Sequence, residues 1–134
     1  MAPDTQDRPA GELAIRTLAM PADANPSGDI FGGWVLAQMD VAGGIAAARY
    51  AGGRVATVAI DAMTFHLPVY IGDVLGVYTR QTRVGTTSVT YHLEAWAERR
   101  RTRELVRVTE GLFVFVALDD NGRPRAIARE EPAS

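Results

Sequence analysis

At 134 residues, with 14 basic and 16 acidic side chains and a net charge of −2, the chain has room for one domain. It lacks the basic surplus that would make nucleic acid the default partner. Its 47% hydrophobic and 22% charged residues exclude a disordered chain and allow one sizeable core.

The opening MAPDTQDRPAGE has no cationic start followed by an apolar core, so it does not read as a secretory signal. Pro, Ala and charge dominate residues 1–11 and again from 124 onward. Loose tails are expected over 1–11 and 124–134, with the single domain drawn at 12–128 and the flexible ends at 1–11 and 129–134. Residues 13–20 alternate weakly and read as a strand that Pro21 ends. PADANPSGD, at 21–29, is a loop by composition. From 31 to about 50, the spacing of Trp34, Val35, Leu36, Met39, Val41, Ile45 and the alanines predicts a helix. Asp29 stands near its start and Gly52-Gly53 closes it.

After Gly53 the period changes from 3.6 to 2. Residues 55–67 form a β-rich run ended by Pro68, and 75–84 another ended by Gly85. In 86–98, Val89, Tyr91, Leu93 and Ala95 alternate with Ser88, Thr90, His92 and Glu94. Residues 105–118 carry Val106, Val108, Leu112, Val114 and Val116, expected on one face, and DDNG at 119–122 is a turn. A 20-residue helix is roughly 30 Å long, and strands of this length span about 33–43 Å. One helix lying across an antiparallel sheet of about five strands, an α+β domain, is the expected architecture. No run approaches the ~18 apolar residues of a membrane span. A cytoplasmic protein is expected, which the lack of cysteine permits. That lack also excludes a disulfide scaffold, a thiolate zinc site and a cysteine nucleophile. The two histidines read as too few and too far apart for a metal cluster, so no metal site is expected.

Four glycines in the helical segment, Gly32, Gly33, Gly43 and Gly44, each cost about 1 kcal/mol relative to alanine. Close helix–sheet packing or ligand approach would each explain Gly43-Gly44. For Gly32-Gly33 ligand approach is favoured, because the start of a helix presents free N–H groups.

Residues 18–65, LAMPADANPSGDIFGGWVLAQMDVAGGIAAARYAGGRVATVAIDAMTF, resemble the hot-dog fold acyl-CoA thioesterases, in particular the YciA-like branch. NPSGDIFGGW, QMD, RVATVAIDAMTF, IGDVL at 71–75 and VGTTS at 84–88 carry the likeness, which covers about 12–128. The resemblance implies a long central helix wrapped by a curved antiparallel sheet. It implies a homodimer as the minimal active unit, built into a hexamer as a trimer of dimers. It also implies hydrolysis of acyl-CoA to free acid and CoA with no cofactor beyond the substrate's own CoA.

Thioester hydrolysis needs a base for water, donors for the carbonyl oxygen and a hold on CoA. Asp40, among Leu36, Met39, Val41 and Ile45, is either a desolvated carboxylate with a raised pKa or a group on a solvated helix face. The match to QMD implies that it is the catalytic acid, as general base or nucleophile. Gly32 and Gly33 offer amides as an oxyanion hole, and Asn25 a further donor. Asp29 reads as the helix cap, or as a polar group facing the reacting water. Arg83, Gly85, Thr86, Thr87 and Ser88 suit phosphate or pantetheine contacts, unless the segment is an ordinary polar turn. Gly32 and Asp40 lie ~12 Å apart along one helix. A base and an oxyanion donor acting on one carbonyl must therefore come from two chains.

The cluster ERRRTR at 98–103 reads as a solvated loop able to attract the nucleotide end. Asp61 is expected to hydrogen-bond in a dimer seam, His66 receives no catalytic role, and His92 reads as a surface or interface residue. Ser27 and Ser88 lack a histidine partner for a triad. The alternatives are a hot-dog dehydratase or hydratase, disfavoured by the lack of histidine near the helix, and a non-catalytic acyl-CoA-binding sensor.

Overall fold

The computed structural model describes residues 8–128. The elements are β1 (Glu12–Leu18), α1 (Gly32–Ala51), β2 (Val55–Phe65), β3 (Val74–Val84), β4 (Ser88–Glu98) and β5 (Leu105–Ala117), with a 3-10 turn at Pro21–Asp23. The strands form one antiparallel sheet in the order β1-β3-β4-β5-β2. The single helix packs against all five strands, as expected of a hot-dog fold. β2, the strand that follows the helix, forms an edge, with β5 as its one partner among the described residues.

Helix α1 buries Val35, Met39, Ala42, Gly43, Ala47 and Ala51 against a core that includes Leu75, Val77, Leu93, Phe113 and Phe115. A Cβ on Gly43 would stand 2.7 Å from the Phe115 ring and 2.9 Å from Leu93 Cδ1, so packing requires this glycine. Gly44 meets only a Phe115 atom at 4.0 Å, and packing does not explain it. At the C-terminal end Gly52 takes φ 72° and its N–H donates to Ala48 O at 2.9 Å, the predicted stop. The N-terminal end departs from expectation. Phe31 is the cap residue and no side chain caps it, so Asp29 does not. The Asp29 backbone is instead tied into the loop by Asn25 and by a bridge to Tyr70.

Strands β1, β2, β4 and β5 are one to two residues shorter than expected at an end. Thr86 leaves the β4 ladder because its carbonyl accepts from the Ile127 N–H at 2.9 Å, while Thr87 O accepts from Ala117 N at 2.8 Å. The core face of β5 also differs. Val108 is buried, but beyond it Gly111, Phe113, Phe115 and Ala117 turn toward the helix, and Leu112, Val114 and Val116 face the other way. The cause is a slip in the ladder. Thr109 is buried directly after Val108, its hydroxyl donating to Thr64 O at 2.6 Å, and one slipped residue exchanges the two faces. DDNG forms the expected turn, with Gly122 N donating to Asp119 O and Gly122 at φ 76°.

The described ends are packed. Ala10 N donates to Glu94 Oε1 at 3.1 Å, so the expected N-terminal tail docks before β1 begins. Arg125 donates to Ala51 O, the last carbonyl of the helix, at 2.7 Å, and Ile127 is buried. The expected tails at 1–7 and 129–134 lie outside the described residues. Among the described residues no helix is long and apolar enough to cross a membrane.

Candidate active site

On α1, Gly33, Ala37 and Asp40 share one face by their spacing of four and three residues. With Leu36 and with Thr57 and Ile60 of β2 they line an open concavity of about 270 Å³. The Thr57 hydroxyl donates to Asp40 Oδ1 at 2.5 Å, fixing the carboxylate against the edge strand. Asp40 is half-buried, between the desolvated and the solvated readings of its surroundings. Thr57 was legible as the only polar residue in the run VATVAI but its role was not.

The helix start presents free amides. Trp34 N and Val35 N return to Phe31 O, and the Gly32 and Gly33 amides have no acceptor among the described residues. A Cβ on Gly33 would meet nothing within 4 Å, so close packing within the chain does not account for this glycine. Asn25 Oδ1 accepts from Ser27 N at 2.9 Å and from Asp29 N at 3.2 Å. The carbonyl side of that amide holds the loop, which leaves Nδ2 as its donor. A second cavity of about 280 Å³ lies under the helix start, lined by Ile30, Gly32, Phe65, His66 and Val108 among others.

The Asp40 concavity and the helix start sit toward opposite ends of β2. Thr57 is near the first residue of the strand, whereas Phe65, the last, lies 3.6 Å from the position of a Gly32 Cβ. The turn after Arg83 is at the Thr57 end, because Val89 and Phe115 lie in register with Thr57 across β4, β5 and β2. Gly85 N donates to Ser88 O at 2.8 Å and Arg83 is exposed, so the turn is held through its backbone. The loop at 98–103 is only partly solvated. Arg99 is locked, donating to Asp73 Oδ2 at 2.5 Å and to Pro68 O at 3.0 Å, and stacking over the Tyr70 ring. Arg100, Arg101 and Arg103 are exposed. Asp61 is exposed on the β2 edge beside Ala62, whose φ of 52° marks a bulge.

The two histidines are not far apart in space. His66 Nε2 lies 2.7 Å from Glu110 Oε2 and His92 Nε2 lies 3.2 Å from Glu110 Oε1. Sequence separation misled because β5 runs between β2 and β4 and carries Glu110 to both. Burial pushes the Glu110 pKa up, but the hydrogen bonds from His66 and His92 and the charge of Arg107 outweigh it, and the carboxyl is held below its usual 4.5.

A family model described as "Thioesterase superfamily" matches residues 27–104. The chain belongs to the thioesterase superfamily. It is 47% identical over 129 residues to the acyl-CoA thioester hydrolase YciA of Escherichia coli K12, covering 94% of this chain and 98% of that one. The hexameric thioesterase y2039 of Yersinia pestis superposes with a TM-score of 0.88 at 47% identity, covering 91% of this chain and 100% of that one. HI0827, a hexameric broad-specificity acyl-coenzyme A thioesterase, superposes with a TM-score of 0.87 at 45% identity, covering 92% and 85%.

Proposed function

We propose that the protein hydrolyses acyl-CoA thioesters to free carboxylic acid and CoA. The observation that carries this reading is Asp40, held by Thr57 in an open half-site, in a chain 47% identical to an acyl-CoA thioester hydrolase. Asp40 acts as general base. It takes a proton from water as the water oxygen attacks the thioester carbonyl; the C–S bond then breaks and the CoA thiolate leaves. Neither a metal nor an organic cofactor takes part in this step.

The oxyanion donors come from a second chain. β2 has a free edge, and exposed apolar side chains flank it: Phe31 and Val41 on the helix side, Val58, Ile60 and Phe65 on the strand. Such an edge invites pairing. If two β2 strands pair antiparallel, the ends of the strand are exchanged. Gly32 and Gly33 of the partner subunit then come beside Asp40, and the closed interface desolvates both halves. Asn25 adds a donor to the same oxygen, and Asp29 borders that loop. The homodimer is the active unit, with two equivalent sites. The relatives described as hexamers support a hexamer here, as a trimer of dimers. Arg83 and the Gly85–Ser88 turn, at the Asp40 end of β2, bind the phosphates and pantetheine of CoA. Absence of cysteine fits a reducing cytoplasm, where we place the enzyme.

The test is turnover of acyl-CoAs of several chain lengths, with a thiol reagent reporting free CoA. Asp40→Asn is expected to bind acyl-CoA and to lose at least about 10²-fold in kcat. Wild-type turnover by Asp40→Asn refutes the base. Binding without any release of CoA by the native protein would make it an acyl-CoA sensor instead.

A further inference from the structure

The cavity under the start of α1 is graded from an open lip to a closed floor. Gly32 and Phe65 stand at the lip, both exposed. Val35, Val69 and Val108 form the floor, at 4%, 3% and 1% exposed. Backbone bonds close the walls. Ile30 N donates to Val69 O at 2.9 Å, which ties the helix start to the segment after β2, and His66 N donates to Val108 O at 2.8 Å. The polar side chains of the lining are engaged. Thr109 donates its hydroxyl to Thr64 O at 2.6 Å, and His66 Nε2 lies 2.7 Å from Glu110 Oε2. A largely hydrocarbon surface therefore faces the space, and at its entrance stands the Gly32 amide, which has no acceptor among the described residues.

Building on the thioesterase function above, we propose that this cavity takes the acyl chain of the substrate and that its floor at Val108 limits the length it can hold to about ten carbons. The carbonyl stays at the Gly32 and Gly33 amides, and the alkyl chain runs inward past Phe65. One chain thus supplies both the oxyanion donors and the acyl cavity, while Asp40 of the partner subunit activates the water. A dry cavity of about 150 Å³ takes benzene, so a carbon needs roughly 25 Å³. The volume here is about 280 Å³, enough for roughly ten carbons. Each methylene drawn from water into such walls is worth up to about fourfold in kcat/KM, and one that stops outside the cavity adds nothing. A carboxylate at the far end of the chain would be buried among Val35, Val69 and Val108 without a partner, so a plain hydrocarbon chain is the preferred class.

The experiment is kcat/KM of the full-length protein for saturated acyl-CoAs from acetyl to hexadecanoyl, each below its micelle concentration, with a thiol reagent reporting CoA. A rise of up to about fourfold per methylene is expected as far as about ten carbons, and a plateau beyond. Glutaryl-CoA is expected to fall at least about tenfold below pentanoyl-CoA. A profile flat across the series, a rise continuing to hexadecanoyl, or equal rates for glutaryl and pentanoyl overturns the assignment and leaves the thioesterase function standing. No release of CoA at any length overturns both. Val108→Phe fills the floor and is expected to lower the ratio of decanoyl to butyryl kcat/KM by at least about tenfold. Should that variant fail to fold, Val108→Ala decides, since the space it opens must move the plateau about two carbons longer. A plateau unmoved in the folded variant refutes Val108 as the floor.

Discussion

Gly33→Ala and Gly43→Ala are expected to move stability in opposite directions, and only Gly33→Ala is expected to lose activity. At Gly43 the added methyl would stand 2.7 Å from Phe115 Cζ and 2.9 Å from Leu93 Cδ1, both in the core. Overpacking of this kind costs about 1–3 kcal/mol. Replacing a helical glycine returns about 1 kcal/mol, so the net cost is ~0–2 kcal/mol. At Gly33 the added Cβ would meet nothing within 4 Å beyond the local helix backbone among the described residues, and a gain of up to ~1 kcal/mol remains. The two variants should therefore differ by about 1–3 kcal/mol. Urea denaturation at one fixed protein concentration measures this, and a typical slope separates the midpoints by roughly 1 M. Activity distinguishes the two jobs. On the proposed mechanism, the Gly33 methyl would lie where the acyl carbonyl approaches the amides. Strain of ~1–3 kcal/mol there lowers kcat/KM by about 5- to 150-fold. Gly43→Ala, assayed where it is folded, should keep its turnover. Wild-type kcat/KM in Gly33→Ala would refute the oxyanion assignment, and a Gly43→Ala protein as stable as Gly33→Ala would refute the packing argument.

Thr57→Val keeps the shape of the side chain and removes the hydroxyl that holds Asp40 Oδ1. A hydrogen bond to a charged group is worth about 1.5–3 kcal/mol, so kcat should fall by ten-fold or more with KM little changed, and Thr57→Ser should restore it. Unchanged kcat in Thr57→Val would remove Thr57 as a positioning residue. Glu110 supplies a pH test. Its carboxyl titrates below the usual 4.5 in the folded chain, so its ionised form stabilises the fold above that value, and the contribution is lost as pH falls through the lowered pKa. The difference in urea midpoint between wild type and Glu110→Gln should be full at neutral pH and shrink below pH 4.5. A difference that stays constant into acid would show that Glu110 acts by shape and not by charge.

The helix and the succession of elements along the chain were legible because local signals agree with the tertiary structure. Gly52 supplies the left-handed residue that stops α1, and the change of period after Gly53 marks the start of the sheet. The face of β5 was not legible. Alternating valines suggested one answer, but the slip at Val108 and Thr109 is set by the Thr109 hydroxyl reaching Thr64 O on the neighbouring strand. No local pattern encodes a contact 45 residues away. The cap failed for a related reason. Asp29 has the right chemistry for a helix start, but Asn25 captures its backbone N–H and turns the loop, and the chain enters the helix through Phe31.

The candidate site was legible as chemistry and hidden as geometry. Residue type and spacing left Asp40 open between a desolvated and a solvated carboxylate, and its match to QMD in the resembling family chose between them; the ~12 Å separation from Gly32 on one helix pointed to a site shared by two chains. What the sequence could not supply was the direction of the missing half. The fold supplies it through β2, which is free along one edge, has Asp40 and Thr57 at one end and has Gly32 beside Phe65 at the other. A two-fold axis through the middle of that strand is the operation that exchanges its ends. In the proposed dimer, the same pairing that satisfies the unpaired edge would also bring carboxylate to amide. Loss of the dimer and loss of turnover should therefore occur together in any variant that breaks β2 pairing without unfolding the chain. A monomer that retained full kcat would show that one chain completes the site alone.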